Sequence, residues 1–349
     1  MQLNLDIIQG RYLADLLDQP RALEATWASL RQADVFDRIA RECRADRFQR
    51  IVLTGMGSSY FGLHPLCIEL AAAGWTPLMV ETAELIHYYS HLLTRSTLLV
   101  AVSQSGKSVE IVRMLELNDR RATIIGVTNH ADSPLGTLSD FAVLAAAGEE
   151  FSVSCKTYVA GLMASQMLAA SLCGIDPGQR LDALKPAPQA VDTYLKDWRA
   201  HAGEFAQLLS DTRHLFLVGR GSSLAAAQTG ALIIKESDHF HAEGMSSAAF
   251  RHGPFEMLQP GMLVGVFLGG AKTVSLNAGL VQDIGRTAAK SVSFAADSNN
   301  AACRLPQVSE TLRPIVEILP IQMMTLALAA LSGREPGKFD RATKVTVVE

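Results

Sequence analysis

The chain has 349 residues, 48% hydrophobic and 19% charged, and its 31 Lys+Arg against 35 Asp+Glu give a net charge of −4. The apolar fraction excludes a disordered chain, and the length predicts two domains of roughly 150 to 175 residues, each large enough to bury a core. A slightly acidic balance without a basic run argues against a nucleic-acid or anionic-membrane surface.

From the N-terminus, MQLNLDIIQGRY lacks a basic stretch followed by an apolar one, so no signal peptide is expected. Residues 1–45, with LADLLDQPRALEATWASLRQ, read as a helical segment. RIVLTG, STLLVAVSQ and ATIIGVTN are short apolar runs bounded by Gly, Ser or Asn. Such near-continuous apolar strands, alternating with helical stretches, predict a parallel sheet covered on both faces. The helical stretches of the first half are SYFGLHPLCIELAAAG, SVEIVRMLELNDR and TYVAGLMASQMLAASLCG. Region 175–212 opens with DPGQRLDALKPAPQ, where Pro and Gly mark an interdomain boundary. The second half continues with SLAAAQTGALIIKESDHF and TVSLNAGLVQDIGRTAA, then VEILPIQMMTLALAALSG, which is apolar all round and reads as a buried helix. No stretch approaches roughly 18 consecutive apolar residues, so no membrane span is expected. The five cysteines (Cys43, Cys67, Cys155, Cys173, Cys303) are odd in number and form no CxxC, which predicts buried thiols in a cytoplasmic protein.

The chain repeats itself. RIVLTGMGSS (50–59) recurs as HLFLVGRGSS (214–223), and LLVAVSQSG, ending at Gly106, recurs as MLVGVFLGG, ending at Gly270; both pairs stand 164 residues apart. Two matches at one spacing point to a tandem duplication of strand, Gly-Ser loop and helix. The predicted architecture is α/β: a first domain over 46–180 with the candidate binding loops, a second over 195–335, and a tail over 336–349.

Two loops of the first half suit an anion. SQSGKSVE (103–110) follows a strand and opens a helix, so Ser103, Ser105 and Ser108 offer hydroxyls beside a helix N-terminus, and Gly106 lets backbone approach closely. GMGSSY (55–60) repeats the setting with Ser58 and Ser59. The same residues serve equally as helix caps that need no ligand. At the 164-residue offset Ser103 corresponds to Phe267 and Ser105 to Gly269, which confines a phosphate site to the first half. GMGSSYFG does not match the dinucleotide fingerprint GxGxxG, and no GxSxG nucleophile motif occurs.

Three residues could carry chemistry. Glu236, near the end of a helix, and His252, before Gly-Pro in FRHGPFEM, are a candidate base and acid; a solvated helix charge and a turn histidine are the plain alternatives. Lys344, in ATKVTVVE, is either an ordinary lysine or an amine that meets a carbonyl when the tail folds back. His239 and His241 lack the acidic or thiol partners of a metal site, so neither a metal nor a cofactor is expected.

Taken in order, GMGSSY, SQSGKS, SVSCKTYV, VGRGSS, GALIIKES-DHFHAEG, FRHGP and ATKVTVVE resemble the double sugar-isomerase (SIS) domain proteins, in particular the isomerase half of glucosamine-6-phosphate synthases. The resemblance runs from about DLLDQPRAL to the last residue. It implies two tandem flavodoxin-like αβα sandwiches, paired as homodimers. It also implies that Ser58, Ser59, Ser103, Gln104, Ser105 and Ser108 bind the sugar phosphate, with backbone contacts at Val153 and Thr343. Glu236 matches the carboxylate that shuttles a proton between C1 and C2, and Lys344 the lysine able to form an imine with the ketose. His252 matches the histidine that assists ring opening, contributed across the subunit interface. Where the synthases carry a Glu and a Lys earlier on the same helix, this chain has Thr229 and Ile233. No glutamine amidotransferase domain is present in this sequence, so the resemblance favours the stand-alone relatives, which deaminate and isomerise an aminosugar 6-phosphate to a ketose phosphate. HGPFEM also resembles the fructosamine-6-phosphate deglycases. A third reading is a non-catalytic sugar-phosphate sensor, against which stand the retained Glu236 and His252 and the lack of a DNA-binding helix-turn-helix.

Overall fold

The computed structural model describes residues 6–341 and 343–346. Its contacts divide the chain into two units. One comprises Arg21–Glu150, Lys156–Pro186 and the tail from Arg341; the other comprises residues up to Pro20, Phe151–Cys155 and Ala187–Asp340. The N-terminal helical segment is therefore shared, the division falling within the helix Gln19–Gln32, and so is the C-terminal tail, divided at Asp340.

The first unit holds five parallel strands: β1 (Arg50–Gly55), β2 (Pro77–Glu81), β3 (Thr97–Val102), β4 (Thr123–Thr128) and β5 (Phe141–Leu144), in the order β2-β1-β3-β4-β5. This is the flavodoxin-like order, in which ligands collect at the carboxyl ends of the strands where the order reverses, here β1 and β3. β3 is buried at every residue, as a central parallel strand covered on both faces must be. Val52, Leu99 and Ala101 pack with Ile111, Met114 and Leu135 in one core cluster. The helical stretch after β1 is interrupted: a four-residue helix, Ser58–Phe61, precedes a second one, His64–Ala72, whose Pro65 sits in its first turn, where a missing N–H costs nothing.

The second unit repeats the plan with four strands: β6 (His214–Gly219), β7 (Ala242–Ser246), β8 (Met262–Phe267) and β9 (Lys290–Phe294), ordered β7-β6-β8-β9, all parallel. The register refines the repeat. Arg50 pairs with Thr97, but His214 pairs with Met262, one residue beyond the 164-residue offset. Ser103 thus corresponds to Leu268 rather than Phe267, and Ser105 to Gly270 rather than Gly269; the helix starts at Val109 and Val274, with caps Ser108 and Thr273, then align. The run Arg313–Ser332 is long and apolar enough to cross a membrane by length and composition, which the count of consecutive apolar residues did not anticipate, and nearly all of it is buried inside the fold. No disulfide links the five cysteines. Cys43, Cys155 and Cys303 are buried, whereas Cys67 and Cys173 are only half-buried, which corrects the expectation of five buried thiols. Burial pushes the Cys43 and Cys303 thiols up to about 12 and Cys173 to about 11, away from the reactive thiolate form.

Candidate functional site

The strand-ends of β1 and β3 carry the serine loops. Gly57 takes φ +52 ahead of Ser58, which is buried, and Ser59, half-buried in the short helix that follows. After β3, Ser103 Oγ accepts from Gly106 N (3.1 Å) and Ser105 Oγ from Lys107 N (3.4 Å), so the loop is closed by its own hydroxyls. Each hydroxyl that accepts a backbone N–H still has its proton to donate to an anion. Gly106 is required here: it adopts φ +62, and a Cβ would collide with Ser133 Oγ and lie 2.8 Å from Thr128 Oγ1. The loop is braced from outside by Thr128 Oγ1 donating to Gln104 O (3.3 Å), and the Gln104 side chain meets His130 (3.4 Å).

Helix capping does not account for these serines. Ser108 is the cap residue of the helix Val109–Asn118, yet its side chain makes no cap bond, and Ser58 and Ser59 are not caps at all. The first helical N–H, that of Val109, instead donates to Thr346 O (3.2 Å), a residue of the C-terminal tail. The tail therefore docks on the start of the helix that the serine loop opens. Within it, Thr343 is exposed, with Oγ1 donating to Val345 O (2.8 Å), and Lys344 Nζ lies 2.9 Å from Glu150 Oε2. That partner was missed in the sequence. Glu150 has a side chain 0% exposed, and its signal was an acidic pair, Glu149–Glu150, directly after an alanine-rich strand end.

Glu236, His252 and Val153 belong to the other unit. The helix Leu224–Asp238 carries Thr229, Ile233 and Glu236 at spacings of four and three, which puts them on one face. Thr229 and Ile233 are fully buried, whereas Glu236 is half-buried beside an exposed Lys235. Both positions are thus part of the packed core, and Thr229 Oγ1 has no hydrogen-bond partner among the described residues. At the helix end, burial pushes the Asp238 carboxyl well above the usual range, against the pull of Ser237 and Arg334, and His239 closes the helix in a left-handed conformation (φ +51). His252 caps the helix Ser247–Arg251, its N–H donating to Ala249 O (3.0 Å), and is exposed ahead of Gly253. Val153 is buried at 1% exposure.

The SIS domain family matches the chain twice, over residues 47–171 and 208–332. The glutamine–fructose-6-phosphate aminotransferase (isomerizing) of Pyrococcus horikoshii is 30% identical over 349 residues, covering 97% of this chain and 57% of that protein; the chain thus spans little more than half the length of this relative. The fold is shared with the C-terminal domain of the glucosamine-fructose-6-phosphate aminotransferase of Francisella tularensis (TM-score 0.82, 21% identity, 95% of this chain and 98% of that one). It is shared too with glucosamine-6-phosphate deaminase from Thermotoga maritima (TM-score 0.76, 17% identity, 97% of this chain and 100% of that one).

Proposed function

Because the chain belongs to the SIS domain family, we propose that it is a phosphosugar isomerase and deaminase, converting an aminosugar 6-phosphate such as glucosamine 6-phosphate, with water, to fructose 6-phosphate and ammonia. The observation that carries this reading is the convergence of the serine loop and the tail lysine in one unit: Thr346 O on Val109 N, with Lys344 two residues away. Serine hydroxyls that keep a proton to donate suit a phosphate, and an amine on the tail docked at the same helix start suits the sugar carbonyl.

Ser58, Ser59, Ser103, Gln104, Ser105 and Ser108 bind the phosphate and the sugar chain, with main-chain contacts from Val153 and Thr343. His252 assists ring opening; it is exposed on the single chain, which suits contribution to a partner's site in a cytoplasmic homodimer. Glu236 removes the C2 proton of the open chain and delivers it to C1. This converts the aldehyde amine to a ketose imine, which water then hydrolyses with release of ammonia. A placed carboxylate performing such a transfer contributes on the order of 10²–10⁴-fold. Glu236→Gln should accordingly lower ammonia release from glucosamine 6-phosphate by about that factor while leaving the thermal shift induced by the sugar phosphate intact. Variant turnover equal to that of the parent overturns the role of Glu236.

A second reading is a fructosamine-6-phosphate deglycase. It is favoured by the pairing of Lys344 with a buried carboxylate, which suits an amine that holds the tail rather than one that attacks a carbonyl. Lys344→Ala separates the two: turnover lost by about 10²-fold or more supports imine chemistry, whereas turnover kept within about threefold supports the deglycase.

A further inference from the structure

Glu150 closes the segment after β5 and stands just before the helix Lys156–Cys173. Its Oε1 accepts from Thr157 N (2.9 Å) and its Oε2 from Thr157 Oγ1 (2.6 Å). Thr157 N is one of the first-turn donors that an α-helix cannot satisfy internally, so the carboxylate caps an eighteen-residue helix and has its plane held through both oxygens. Oε2 is also 2.9 Å from Lys344 Nζ. A buried carboxylate anchored to a helix is a fixed point, whereas a lysine side chain has four rotatable bonds to be ordered.

We propose that Glu150 is the positioning residue for Lys344: it sets where the tail amine stands and, together with Val109 N on Thr346 O, holds the tail at the start of the serine-loop helix. The amine is thereby placed before substrate arrives, and the cost of ordering the tail is met in folding instead of in each turnover. The catalytic half of this inference rests on the imine role of Lys344 proposed above; the tail-holding half does not.

The test uses the full chain with Glu150→Gln, which keeps shape and an acceptor for Thr157 N but removes the charge, and Thr157→Val, which removes only the hydroxyl that steadies Oε2. Three quantities are read: kcat and KM for ammonia release from glucosamine 6-phosphate, the thermal midpoint, and the rate of tryptic cleavage after Lys344 by mass spectrometry. Glu150→Gln should lower kcat by about 10–100-fold with KM moving less than about threefold, since a misplaced group costs rate more than affinity. Cleavage after Lys344 should accelerate by about tenfold as the tail loosens. Thr157→Val should move kcat and cleavage the same way by a few-fold, and stands in for Glu150→Gln if that variant does not fold. Unchanged kcat with unchanged cleavage overturns the proposal. So does a fall in kcat accompanied by an equal loss of affinity and a collapse of the thermal midpoint, which would mark Glu150 as a helix cap alone. A parent enzyme with no turnover of any aminosugar phosphate overturns the proposed function; cleavage then decides the tail-holding half by itself, faster in the variants upholding it and unchanged refuting it.

Discussion

The loop SGKS (105–108) in the first half and its counterpart GAKT (270–273) in the second occupy the same place after a central strand, and both open a helix. Their backbone hydrogen bonds differ. In the second half Val274 N donates to Gly270 O (3.0 Å), so the loop satisfies its own helix start, whereas Val109 N in the first half waits for the tail and donates to Thr346 O (3.2 Å). Side chains close the second loop as well. Asn277 Nδ2 donates to the carbonyls of Phe267 and Leu268, and the Glu310 carboxylate, held by Arg313 at 2.7 Å, lies where a Cβ on Gly270 would sit. One copy of the duplication has turned its donors and acceptors inward, and the other has kept serines and a tail. Duplication supplies two equivalent scaffolds, and the two copies spend the polar groups of this loop differently.

The largest effect that could break this comparison comes from the glycine difference. Gly106 corresponds to Ala271, and only Gly106 takes a positive φ. Gly106→Ala should destabilise the protein by more than about 1 kcal/mol and, on the phosphate role proposed for this loop, should weaken sugar-phosphate affinity by about tenfold or more by displacing Ser103 and Ser105. Ala271→Gly should cost no more than about 1 kcal/mol and leave affinity unchanged. Equal losses in isothermal titration and melting experiments would mean that the two loops are not functionally distinct.

A smaller effect sharpens the same contrast. Ser223, the second-half counterpart of Ser59, donates to Glu317 Oε1 (2.8 Å), and Glu317 is wholly buried with Oε2 unpartnered among the described residues. Burial pushes its carboxyl from 4.5 up to about 7, against the opposing effect of Ser223 and Arg313. The folded state then holds this proton more tightly than the unfolded chain, so the favourable contribution is complete below about pH 4.5 and is lost as the pH rises through about 7. Glu317→Gln, which stays neutral, should therefore melt several degrees above the parent at pH 8 and close to it at pH 5, since about 1 kcal/mol moves the midpoint by roughly 2–4 °C in a domain of this size. A difference independent of pH would show that Glu317 is not the titrating group.

Much of the scaffold was legible from patterns that depend on neighbouring residues. β-Branched runs bounded by Gly and Ser marked β1, β3 and β4, and the recurrence of RIVLTGMGSS as HLFLVGRGSS revealed the duplication, because strand burial and loop glycines are written locally. The break between Ser58–Phe61 and His64–Ala72 and the one-residue slip between the two sheets were not legible, since register is fixed by pairing across strands. The serines of the candidate site could be named from their place between a strand and a helix. Whether they cap that helix could not, because the answer lay in Thr346, far away in sequence.

The sequence by itself determined the alternation of strands and helices, the tandem repeat and the family, and it singled out Glu236, His252, Lys344 and the serine loops. Those features follow from side-chain periodicity and from short motifs whose chemistry is carried in adjacent residues. Only the tertiary structure decided that Thr229 and Ile233 lie in the packed core, that the second loop is closed by its own side chains, and that Lys344 meets Glu150. Each of these depends on groups distant in the chain that burial brings within hydrogen-bonding or packing distance, and no local pattern encodes such a meeting.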